Sequence, residues 1–169
     1  MQDETSPDSA VFTPRSPGGI AREVVAILGS VCCIAIATFY WTQLPDSIPI
    51  HFGITGKPDL WGNKLLIVLF PALAVVIYLW MTVIMRFSRQ FNYPVAITAE
   101  NAAKQYQIAR DLLSWMKTEI IWMFAWIEWQ MVQVAVGRSQ TLDILGVFAF
   151  VSLILGTTGI YLWQAYRNR

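Results

Sequence analysis

Four stretches of this chain are long and almost wholly apolar: residues 24–44, 65–85, 118–136 and 142–163. A helix needs about 20 mostly apolar residues to cross the hydrocarbon core of a bilayer. Each stretch therefore predicts a transmembrane helix. The first stops at Pro45. The second contains Pro71, which is tolerated where neighbouring helices satisfy the carbonyl it frees. The third ends at Gly137. Ser139 or Thr141 can cap the fourth, and Asp143 suits its first turn.

The polar connections carry patterns of their own. From Ala99 to Val136 there is no glycine or proline, and Ala102, Tyr106, Ala109, Leu113 and Met116 recur at helical spacing. Pro94 marks a turn, and Thr98 is a suitable N-cap with Glu100 in the first turn. One continuous helix over 99–136, extending beyond the membrane, fits better than an interfacial helix that bends near Trp115–Thr118. No residue there supplies a break.

Residues 44–64, LPDSIPIHFGITGKPDLWGNK, form the longest irregular connection and hold the only histidine, His51. Ile48, Ile50, Phe52 and Ile54 alternate with Ser47, Pro49, His51 and Gly53. A period of two predicts a short extended segment with one apolar face, and places His51 and Pro49 on the other. Gly53 and Gly56 permit tight turns. Lys57-Pro58-Asp59 reads as a further turn.

Composition agrees with a membrane protein. The chain has 169 residues, is 56% hydrophobic and only 14% charged, with a net charge of +1. A typical soluble domain is about 25% charged. Nothing in the charge balance points to nucleic acid. The polar, Pro- and Ser-rich residues 1–19 read as a disordered tail without the form of a cleaved signal. Cys32 and Cys33 adjoin each other in an apolar run and read as small packing residues. The expected domain is thus 20–169.

Charge also predicts orientation. Arg15, Arg22, Arg86, Arg89, Lys104, Arg110, Lys117, Arg167 and Arg169 fall on the side of the termini. Lys57, Lys64 and Arg138 fall on the other. The positive-inside bias puts both termini in the cytoplasm and the 44–64 loop outside.

Candidate chemistry is sparse. Glu128 lies near the middle of the third stretch and Glu119 near its cytoplasmic end. They are about 180° apart around a helix, so they belong to different faces. Intramembrane acids are costly and are functional candidates by default. Glu128 is read either as a neutral acid in one interhelical hydrogen bond or as a proton or ligand site. Tyr40, Thr42 and Thr157 are its available partners. Trp115, Trp122, Trp126, Trp129 and Gln133 share a stripe with Glu119, read as a helix-packing and lipid-facing interface. His51, Asp46, Asp59 and Asp143 are too few and too scattered for a metal site. His51 and Asp59 lack a nucleophile to serve. No cofactor is expected, and enzymatic activity is disfavoured without being excluded.

The segment Leu44-Pro45-Asp46, Ile48-Pro49, His51-Phe52, Gly56, Pro58-Asp59, Trp61-Gly62 and Lys64 resembles the signature of the bacterial membrane domain of unknown function 1648. That domain also opens the SdpI-type immunity proteins. The resemblance covers roughly residues 25–75. It implies a multi-pass protein of the bacterial cytoplasmic membrane, with immunity or signalling as the family context. It marks Pro45, Pro49, His51, Gly56, Asp59 and Lys64 as the recurrent loop positions.

The fold expected is an all-α membrane protein: four transmembrane helices, an ordered extracytoplasmic loop and a cytoplasmic extension of the third helix. The function expected is binding or sensing through the 44–64 loop, with a peptide or small ligand as its partner beside the bilayer. One alternative is an accessory subunit of a membrane complex, docked on another membrane protein. Another is a proton-coupled enzyme or transporter using Glu128.

Overall fold

The computed structural model describes residues 17–169, so the tail expected over 1–19 lies outside it except for Pro17–Gly19. Those three residues start a helix. Over the described residues the chain is an all-α membrane bundle of four α-helices with one small hairpin. Helix α1 is Pro17–Tyr40, α2 is Leu69–Ile84, α3 is Ala102–Ala135 and α4 is Ile144–Arg167. Strands β1 (Ser47–Phe52) and β2 (Pro58–Asn63) lie between α1 and α2. Proline at the first helical position of α1 is favourable, because its missing N–H would have had no partner there.

The three spans Pro17–Tyr40, Lys64–Gln90 and Ile144–Arg167 are long and apolar enough to cross a membrane. The second includes a 3₁₀ turn on each side of α2. The change from 3₁₀ to α falls at Leu69, two residues before Pro71, whose ring takes one donor out of the ladder. Asn63 caps this span by accepting the Leu65 N–H at 2.9 Å.

α3 is the least apolar helix, and it is the centre of the bundle. It packs on α1, α2 and α4, whereas α4 packs on α3. Its polar residues therefore meet protein rather than lipid. On α1 the buried positions 23, 26, 30, 33, 37 and 40 step by three and four residues. On α3 the positions 114, 118, 121, 125, 128 and 132 do the same. This is the spacing of a coiled-coil seam. Many of these residues are small, which allows close backbone approach. A Cβ at Gly29 would lie 2.9 Å from Ile121 and 3.1 Å from the Trp122 ring nitrogen. A Cβ at Gly146 would lie 2.3 Å from the Trp126 ring. Two glycine–tryptophan contacts thus set α1 and α4 against α3.

α3 is continuous for 34 residues, about 51 Å at 1.5 Å per residue. Before it, Thr98 and Asn101 form a reciprocal cap. The Thr98 N–H donates to Asn101 Oδ1 at 2.9 Å, and the Asn101 N–H donates to Thr98 Oγ1 at 3.3 Å. α3 ends at Ala135, and Gly137, just past its C-cap, has φ of 76°. α4 is capped by Asp143, which accepts the Leu145 N–H at 3.0 Å. Ser139 and Thr141 instead hydrogen-bond each other inside the turn. The start of α4 therefore falls at 144 rather than 142.

Candidate functional site: a pinned hairpin and a polar seam

The expected single extended segment is one half of an antiparallel hairpin. β1 pairs with β2 from Ser47 with Asn63 to Phe52 with Pro58, and the register shifts between Pro49 and Phe52. This bulge resets the faces. Ile48 and Pro49 are both buried, while Ile50 and Ile54 are exposed. Pro49 therefore does not share the exposed face with His51, as strict alternation predicts. Pro58 stands at the first position of its strand, where a proline is tolerated.

The hairpin is held at three levels. At its base, the Lys64 N–H donates to the Asp46 carbonyl at 3.0 Å, and Lys64 Nζ lies 3.0 Å from Asp46 Oδ1. Midway, His51 Nδ1 meets Asp59 Oδ1 at 2.5 Å across the two strands. Both side chains are more than half exposed, so this pair orients the ring more than it stabilises the fold. At the tip, the Gly56 carbonyl accepts the Leu142 N–H at 2.8 Å, joining the hairpin to the α3–α4 turn. Gly56 has φ of 76°, and a Cβ there would lie 2.2 Å from the Leu142 oxygen. Below the strands, Ile48 enters a core with Tyr40, Leu44, Ile67, Met131 and Val132. Pro45 is exposed at the entry to the hairpin.

What the hairpin leaves outside is also specific. Ile54 is 89% exposed at the tip, and Leu60 and Trp61 are about half exposed beside the His51–Asp59 pair. Of the six loop positions singled out, His51 and Asp59 are brought together. Gly56 and Lys64 are structural joints, Pro49 is core, and Pro45 touches none of the others by hydrogen bond.

At the opposite end, the α1–α3 seam holds a charged cluster that the sequence reading did not identify. Lys117 is fully buried. Its Nζ donates to both carboxylate oxygens of Glu23 at 3.0 Å and to Thr82 Oγ1 at 2.9 Å, and lies 4.6 Å from the centre of the Tyr78 ring. One ammonium thus ties α1, α2 and α3 together. Next to it, Arg22 pairs with Asp111, donates to Ser114 Oγ at 3.2 Å and lies over the Trp115 ring. The sequence treats Lys117 as a flanking cation. The available signal was Glu23, an acid opening the three-four pattern of α1.

The two intramembrane acids face different neighbours. Glu119 Oε1 accepts from Thr157 of α4 at 2.6 Å, and its other oxygen has no hydrogen-bond partner. Thr157 therefore serves Glu119 rather than Glu128. Glu128 is fully buried, and among the described residues no nitrogen or oxygen donor reaches either of its oxygens. The Cys33 thiol of α1 is its polar neighbour. Tyr40 is engaged elsewhere, accepting from Arg138 at 3.2 Å. Within the tryptophan stripe, Trp122 donates to the Val25 carbonyl at 3.0 Å, Trp126 packs on Phe150 and Trp129 meets Tyr40 edge-on. These three side chains contact neighbouring helices while staying partly open at the bundle surface, Trp129 most of all.

Residues 28–75 match the sequence model of a family described as a domain of unknown function, DUF1648. The matched stretch is the hairpin with the adjoining parts of α1 and α2. An uncharacterized protein of Archaeoglobus fulgidus is 31% identical over 62 residues, a match covering 32% of this chain and 34% of the relative. The match therefore spans about a third of that relative's length. No solved structure matches.

Proposed function

We propose that this chain, whose residues 28–75 match the membrane domain of unknown function 1648, is a membrane-embedded recognition module that reads its ligand with the hairpin. One observation carries this reading: the hairpin is held at three levels and still leaves Ile54, Leu60, Trp61 and the His51–Asp59 pair on its surface. Ordering costs are met before a partner arrives, which favours binding. A peptide with apolar side chains and a polar group for the His–Asp pair suits this surface. The family resemblance adds an immunity or signalling context in a bacterial cytoplasmic membrane. The excess of arginine and lysine at the other end of the bundle supports a hairpin facing outward and termini facing the cytoplasm.

The test is site-specific photo-crosslinking in native membranes, with the photoreactive residue at Leu60 and a control at Phe148 on the lipid-facing side of α4. A discrete adduct from position 60, absent at 148 and lost in His51→Ala or Asp59→Ala protein of normal abundance, is expected. Adducts indistinguishable between the two positions would overturn the reading.

A second reading is favoured by Glu128 alone. A buried carboxyl with only a thiol beside it is costly, and proton coupling is a use that would retain it. Unchanged ligand response and unchanged proton uptake in Glu128→Gln would remove that role.

A further inference from the structure

A two-stranded sheet has two edges, and an open edge is a row of main-chain N–H and C=O groups without partners. The register tells which groups these are. The Lys64 N–H donates to the Asp46 carbonyl, one step beyond the pairing of Ser47 with Asn63. Opposed residues in an antiparallel pair alternate between those that exchange both bonds and those that exchange none. Ile48 and Gly62 therefore exchange bonds. Ser47 and Pro49 on β1, and Trp61 and Asn63 on β2, turn their main-chain N–H and C=O away from the facing strand.

The β1 edge is closed. Pro49 has no N–H, Ile48 and Pro49 are buried, and β1 packs on α3. The β2 edge is open. None of its six residues is buried, and β2 packs chiefly on β1. Proteins usually guard an open edge with proline, charge or a bulge. Here Pro58 stands at the far end of β2, the Asp59 carboxylate is engaged by His51, and the register shifts fall between Pro49 and Phe52. None of these guards stands at Trp61. Its N–H and C=O, with the Asn63 N–H, form a short ladder beside the half-exposed Leu60 and Trp61 side chains. A purely apolar occupant leaves such a row unsatisfied, whereas an extended main chain matches it group for group.

We propose that a partner peptide is bound as a third strand, its main chain paired with Trp61 and Asn63 along the outer edge of β2. This rests on the hairpin being the recognition surface and specifies what that surface reads. Strand addition draws affinity from main-chain bonds and specificity from alternate side chains. The bound segment is therefore extended, and free of proline where it meets Trp61.

The test uses the full chain in native membranes with the photoreactive residue at Leu60. The adduct should persist in Trp61→Ala, which keeps the N–H. It should fall about tenfold in Trp61→Pro, which removes one hydrogen bond. The hairpin of Trp61→Pro should resist limited proteolysis as before, because the lost N–H faces away from β1. A second measurement needs no substitution at Trp61: the amides of Trp61 and Asn63 should exchange with deuterium quickly in the chain alone and slowly in the isolated adduct. An adduct undiminished in Trp61→Pro, or one that leaves both amides fast, would overturn the third strand and leave the hairpin as the recognition surface. Equal losses in Trp61→Ala and Trp61→Pro would assign recognition to the indole and overturn it too. Absence of any specific adduct from position 60 would remove both readings.

Discussion

At Gly56, two constraints coincide: a left-handed backbone and a backbone neighbour where a side chain would go. Gly137 has the same φ of 76° with nothing within 4 Å of its missing Cβ. The pair separates strain from collision. Gly137→Ala should cost about 1–3 kcal/mol, the usual cost of a non-glycine residue held in such a conformation. Gly56→Ala should cost more, and should also expose the hairpin to limited proteolysis. Thermal unfolding in one detergent, with both variants side by side, checks the order. Equal losses would show that the tip joint is not tight. The sequence shows Gly56 as a turn residue. It could not show the contact with Leu142, because that depends on where a loop 86 positions away returns.

Among the elements, the helices were the most legible because their apolar runs are long. β2 was not, since Pro58-Asp59 reads as a turn and a strand of six residues leaves little period to recognise. The Glu23–Lys117 pair was hidden for a different reason: the partners are 94 residues apart, and charges near span ends ordinarily sit at the interface. Its burial predicts an asymmetric response. Lys117→Met alone should cost about 3–5 kcal/mol, because it leaves Glu23 without its cation in a largely buried site. Glu23→Leu together with Lys117→Met should recover most of that loss. A double-mutant cycle read by unfolding in detergent decides it, and no recovery would mean that the pair contributes more than mutual neutralisation.

The connection between α2 and α3 carries a pH signature. Burial pushes the Tyr93 phenol up to about 12, with Tyr106 adding to the rise and Arg110 opposing it. Its hydroxyl donates to the Ser88 carbonyl at 2.6 Å. A raised pKa means that the folded state keeps the proton longer than the unfolded chain. The contribution is fully present below pH of about 10 and is lost as pH rises toward 12. In a spectrophotometric titration of tyrosinate, one phenol absent from Tyr93→Phe should ionise near 12. If that variant loses no late-titrating group, Tyr93 is not held this way.

For the whole molecule, the sequence conveyed four helices and their membrane setting but not which one is central. Mean apolarity ranks α3 last, yet the bundle is built around it, because its polar groups are spent on neighbouring helices. Orientation is tested directly by cysteine labelling. Lys57→Cys in the hairpin should react with a membrane-impermeant maleimide in intact cells. Ala103→Cys, exposed near the start of α3, should react only after permeabilisation. The reverse pattern would invert the protein in the membrane.

The bond from Gly56 to Leu142 has a mechanical meaning. α4 packs chiefly on α3, and its first turn begins two residues beyond that bond. The hairpin tip and the root of α4 are thus one joint, not two neighbouring parts. A load that tilts the hairpin is thus passed to α4 as well as to the core around Ile48. A force on the hairpin therefore has a route to a helix whose far end is held by Gln105 of α3 through the Ala165 carbonyl.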